Sequence, residues 1–175
     1  MRNIIWFQCR LQIKLLNGMK LLSYIERMLL SLQEEPLAAL LKSGTALAQA
    51  GAAWVLATLA TGLESNTHNT ANQIKIAAAG AITPLVTMLT SGNEPGQAGA
   101  AAALAGLAEK NLENQVAIAA AGAIEPLVAL VRGGSEGAKE QAAGALRNLA
   151  ANNDVNKVAI AAAGGIAALL ELVRG

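Results

Sequence analysis

The string AIAAAGAIEPLV at residues 117–128 occurs almost unchanged at 75–86, as KIAAAGAITPLV, and again at 159–170, as AIAAAGGIAALL. Gly80, Gly122 and Gly164 fall in register, as do Ile82, Ile124 and Ile166. A second block keeps step: residues 104–108 read LAGLA and residues 146–150 read LRNLA. A fixed period in the range of roughly 40–47 residues with helical patterning implies an all-α stack of helical repeats, a solenoid. Each repeat in such a stack touches only its neighbours, so it offers a partner a long surface rather than a deep pocket.

Composition narrows what holds the stack together. The chain is 54% hydrophobic and 14% charged, with four aromatic residues, and all 39 alanines follow Glu35. The helices must therefore pack Ala against Leu, Ile and Val, which brings them close but buries little area per residue. Residues 1–35 carry five basic and three acidic side chains, and residues 36–175 carry eight and nine. Phosphate backbones demand clustered Lys and Arg. Here Lys75, Arg132, Lys139, Arg147 and Lys157 are interleaved with acids, so no nucleic acid is expected as partner. Cys9 and His68 are the sole cysteine and histidine. That rules out a disulfide framework and a cysteine-ligated cluster within the chain, and no metal, cofactor or catalytic site is expected.

Within one unit the pattern predicts three helices. Residues 114–121 are good helix formers with Asn114 as a start signal, and Gly122 supplies a positive φ where the first helix stops. Pro126 lies in the first turn of the second helix, where a missing N–H costs nothing, and Leu127, Val128, Leu130 and Val131 form its buried stripe. The third helix is expected over about 138–151, with Ala142, Ala145, Leu146 and Leu149 inward. Its equivalents are expected at about 96–110 and 46–61.

Pro36, Pro84 and Pro126 stand at one and the same interval before Leu56, Leu104 and Leu146. This register divides the chain into 1–35, an atypical amphipathic segment, and 36–175, the repeat domain. The units are 36–71, 72–113, 114–155 and a partial 156–175. Residues 62–71 read as an exposed loop. The uncharged stretch 43–63 is long enough to span a membrane, but it crosses a turn at Ser43 and Gly44, and register makes it a third helix rather than a span.

Residues 1–35 contain no alanine and three of the four aromatics, Trp6, Phe7 and Tyr24. Leu21, Leu22, Ile25, Met28, Leu29 and Leu32 share one helical face. The segment suits a cap over the first repeat. As the alternative, its early bases, Arg2, Arg10, Lys14 and Lys20, suit an organelle presequence or a membrane-surface helix over residues 2–27.

The period, the Gly turn, the IxPLV string and the closing LRNLA together resemble the armadillo repeat over about residues 36–175. The character is closest to vacuolar protein 8-like and plant U-box-associated armadillo repeats. The resemblance implies a right-handed superhelix of three-helix units whose third helices line a concave groove for extended peptides. In that family a Trp, with an Asn four positions later, grips the peptide backbone. Here the Trp position holds Trp54, Ala102 and Gly144, and the Asn position holds Thr58, Gly106 and Asn148, so no unit has both. Trp54, Thr58, Gln141, Arg147 and Asn148 are the candidate groove residues. Each also has a plain reading as packing or solvated surface.

The sequence stops at the register of Arg132 and Gly133, before a third helix in the last unit. Leu169, Leu170, Leu172 and Val173 are therefore expected to meet a continuation or another subunit, and Trp6 and Phe7 to make contacts at the opposite end. Three functions follow as expectations. The first is a non-enzymatic scaffold that holds a protein partner; the second is an accessory subunit of a large, organellar or membrane-associated assembly. The third, implied only by the resemblance to U-box-associated repeats, is the substrate-binding arm of a ubiquitin ligase. The expected compartment is the cytoplasm, with organellar or membrane-peripheral placement as the alternative.

Overall fold

The computed structural model describes residues 34–61 and 70–174, and these are helical throughout except at the turns. Residues 1–33 and 62–69 lie outside the described residues. The expected cap or targeting segment, with Trp6 and Phe7, falls there, as do Cys9, His68 and most of the expected loop.

Ten helices follow in order among the described residues. They are α1 (Glu34–Ser43), α2 (Ala46–Thr61), α3 (Thr70–Ala78), α4 (Ile82–Ser91) and α5 (Glu94–Ala108). Then come α6 (Leu112–Ala120), α7 (Ile124–Gly133), α8 (Glu136–Ala150), α9 (Asp154–Ala162) and α10 (Gly165–Arg174). First helices are α3, α6 and α9; second helices are α1, α4, α7 and α10; third helices are α2, α5 and α8. Thr70 and Ala71 belong to α3, which corrects the loop expected to run to residue 71.

The glycine turns are where the period placed them. Gly80, Gly122 and Gly164 have φ of 75°, 81° and 78°. At Gly122 the turn is a Schellman motif: its N–H donates to the Ala119 carbonyl at 2.9 Å, and the Ala123 N–H to that of Ile118 at 3.3 Å. The chain bends there by 79°, 81° and 71° in successive units, turning each first helix into its second. A side chain in this backbone conformation would bring Cβ against a carbonyl, a clash that glycine avoids.

Of the third helices, α2 starts at Ala46 as expected, whereas α5 and α8 start two residues earlier than expected, and the reason is capping. Asn93 accepts from the Gly96 N–H at 3.0 Å and Ser135 from the Ala138 N–H at 3.3 Å, so Glu94 and Glu136 already lie in the helix. First helices show the same offset. Asn111, not Asn114, caps α6, accepting from the Asn114 N–H at 3.1 Å. Lys110 and Asn152 take positive φ to fit the tight link before that cap.

Asn114 has a different task, part of a buried amide ladder running through the stack. Its side chain donates to the Leu107 carbonyl at 3.0 Å, and Asn156 repeats the bond to Leu149. Gln115 donates to the carbonyls of Asn148 at 3.0 Å and Ala151 at 3.3 Å, while its own oxygen accepts from Asn153. Gln73 does the same one unit earlier, with Gly106, Glu109 and Asn111. These amides satisfy the carbonyls that a helix end leaves orphaned. Around them the apolar core closes on Leu85, Leu104, Leu107, Ile118, Leu127, Leu146 and Leu149, all fully buried.

Candidate functional site: the third-helix face

Side-by-side packing of α2, α5 and α8 makes one continuous face. The middle helix is the floor. Gly99, Ala102 and Gly106 of α5 are buried, and its neighbours lean over them. A Cβ at Gly106 would stand 3.0 Å from both Ala60 Cβ and Thr61 Cγ2 of α2, so the position equivalent to a ligand-gripping Asn is occupied by helix packing. At Gly99 a Cβ would stand 3.0 Å from Trp54 Cδ1 and 3.1 Å from its Nε1. The indole therefore lies over this glycine.

The α2 wall is uncharged. Leu47, Gly51, Trp54 and Thr58 recur at steps of four, three and four along the helix and form one exposed stripe. Leu47 is 81% exposed and Trp54 43%, while a Cβ at Gly51 would meet nothing within 4 Å. Two apolar side chains thus flank an open notch. The Thr58 hydroxyl is turned inward to its own helix, donating to the Trp54 carbonyl at 3.0 Å.

Across the floor, α8 presents Gln141, Gly144, Arg147 and Asn148. Asn148 reaches onto α5, its Nδ2 donating to the Ala105 carbonyl at 2.9 Å. Its Oδ1 accepts from Arg147 Nε at 3.4 Å. Gln141 is half-buried, and Gly144 opens onto free space. Lys139 pairs with Glu136 at 3.0 Å; among the described residues Arg147 has no carboxylate within ion-pair distance. Of the sequence candidates, Trp54 and Thr58 therefore share one wall, while Gln141, Arg147 and Asn148 share the other. Leu47 was missed. A lone leucine near a helix start carries no signal until its exposure is known.

At the far end of the chain Leu169 and Leu172 are partly covered, while Leu170 and Val173 are 51% and 85% exposed. Away from the third helices, Ile74, Val116 and Val158 recur at one position of α3, α6 and α9 and are 53%, 56% and 71% exposed. Asp154 begins α9, and a hydrogen bond from Lys157, reinforced by its charge, holds the carboxyl below the usual carboxylate value. Among the described residues no group of three His, Cys, Asp or Glu could hold a metal. No single described helix is long and apolar enough to cross a membrane, although three bent first-and-second-helix pairs pass by length and composition.

The Armadillo/beta-catenin-like repeat family model matches residues 69–109 and 111–151. Among solved structures, an engineered protein of the Northeast Structural Genomics Consortium is 36% identical, with a TM-score of 0.72 over 79% of this chain and 53% of that one. A designed armadillo repeat protein in complex with the peptide (KR)4 is 30% identical, with a TM-score of 0.73 over 81% of this chain and 56% of its own. The armadillo repeats only protein of Plasmodium falciparum, 24% identical over 71% of this chain and 50% of its own, shares the fold at a TM-score of 0.62. The chain thus spans about half the length of these structures. No curated protein matches it. With the glycine turns, the three-helix units and the family match in agreement, residues 69–151 are armadillo repeats and the described chain is an all-helical armadillo-repeat solenoid.

Proposed function

We propose that the protein is a non-enzymatic binding scaffold that holds a segment of a protein partner on its third-helix face. The observation that carries this is the exposure of Leu47, Trp54 and Arg147, with Gln141 beside them, around a floor that helix packing has closed. That a designed armadillo relative is in complex with a peptide, and that another set was designed for modular peptide recognition, supports the reading. A second role, subunit of a larger assembly, draws support from the aliphatic row Ile74, Val116 and Val158 on the first helices. The proposed compartment is the cytoplasm. The vacuolar protein 8-like and U-box-associated subtypes find no support in the matched structures, so the ligase arm is not pursued.

Crosslinking mass spectrometry on the protein in its native complexes separates the two roles. With a carbodiimide as crosslinker, capture on the third helices places partner crosslinks on the exposed Glu140 of α8. Crosslinks confined to Lys75 and Lys157, on the first helices, would overturn groove capture and favour assembly.

A further inference from the structure

The two walls of the third-helix face differ in chemistry, and the difference selects a ligand. On α2, Leu47 and Trp54 flank the notch at Gly51, and no charge stands on that helix. An apolar side chain entering the notch would cover both residues. On α8, the Arg147 guanidinium is steadied through Nε by Asn148, which is itself anchored to the Ala105 carbonyl. The outer edge of the guanidinium has no carboxylate partner among the described residues, and Gly144 beside it leaves space. A guanidinium held in place with its fork open matches a carboxylate. Glu140 shares this wall but has no comparable anchor, and Lys139 is taken by Glu136.

We infer that the preferred occupant is a bipartite peptide segment, with an aliphatic or aromatic residue seated between Leu47 and Trp54 over Gly51 and an acidic residue paired with Arg147. This rests on the groove reading above. Adjacent helices pack about 9 Å apart, so the two subsites lie roughly 18 Å apart, which about five extended residues bridge. The chemistry differs from that of the (KR)4 peptide held by the designed relative.

The test uses fluorescein-labelled synthetic peptides and anisotropy on the full chain. One probe has Phe, five serines and two glutamates; its counterparts replace the glutamates by lysines or the Phe by serine, in both chain directions, with (KR)4 alongside. The acidic probe is expected to bind about tenfold more tightly than the lysine probe, the scale of one charge-assisted contact. Arg147→Gln should abolish that advantage. Gly51→Leu, which fills open space and so leaves the fold intact by circular dichroism, should weaken the Phe probe but not its serine counterpart. If the lysine probe or (KR)4 binds as well as the acidic one, the inference falls while groove binding stands. If no peptide binds, both fall.

Discussion

Gln115 is a polar side chain at a position that periodicity assigns to a helix and to nothing more. Its amide nevertheless closes the end of α8 and accepts from Asn153, the cap of the following first helix, so truncation strands several buried groups at once. Each unsatisfied buried polar group costs about 1–3 kcal/mol, so Gln115→Ala is expected to lower stability by about 2–4 kcal/mol in urea unfolding followed by circular dichroism. Val116→Ala next door, at a position 56% exposed, should stay within about 0.5 kcal/mol. Equal effects from the two would refute the ladder's importance. The glycine turns were legible because the residue type itself announces a positive φ. The amides were not, because Asn and Gln look alike whether solvated or buried, and Asn114 passes for a cap when Asn111 holds that place. The signal was in the register: Asn72, Asn114 and Asn156 recur at the repeat period, as do Asn111 and Asn153.

At the level of helices, α5 shows how composition becomes geometry. Gly99 and Gly106 let α2 come close enough that a Cβ at either would stand 3.0 Å from one of its side chains, so that α2 would have to give way. Gly106→Asn, which restores one member of the family's ladder, is therefore expected to destabilise by about 1–3 kcal/mol through overpacking. Gly144→Ala, at an equally helical but open position, should instead raise stability by about 0.5–1 kcal/mol. Thermal melts of the pair decide it, and a stabilised Gly106→Asn would mean the interface has room. In the sequence Ala102, Gly106 and Gly144 are alike, ladder positions left without Trp or Asn. The structure separates them: two are filled by a neighbouring helix and one is open. No pattern along the chain carries that, since it depends on which helix leans on which.

Across the whole molecule, burial is uneven. Most of α5 is buried, whereas α10 buries Gly165 and Ala168 and α9 buries Asn156 and Ile160. Local opening follows burial, so amides of α9 and α10 should exchange with deuterium well before those of α5 and α8. Uniform protection across the repeats would contradict this. The repeat period made the architecture readable, and the match of residues 69–151 to armadillo repeats agrees with it. The proposed binding face was readable only as candidates, since exposure and opposed walls arise from three helices that lie in three different repeats.

The amide ladder also bears on how such a chain can grow. At both junctions that show it, one first helix presents a glutamine oxygen to the cap of the first helix after it, and that cap returns an asparagine donor. A duplicated stretch one period long, wherever its ends fall, arrives with both halves of that exchange. Lengthening the array by gene duplication thus creates no orphaned buried amide at the seam, and a newborn repeat is wired in from its first generation.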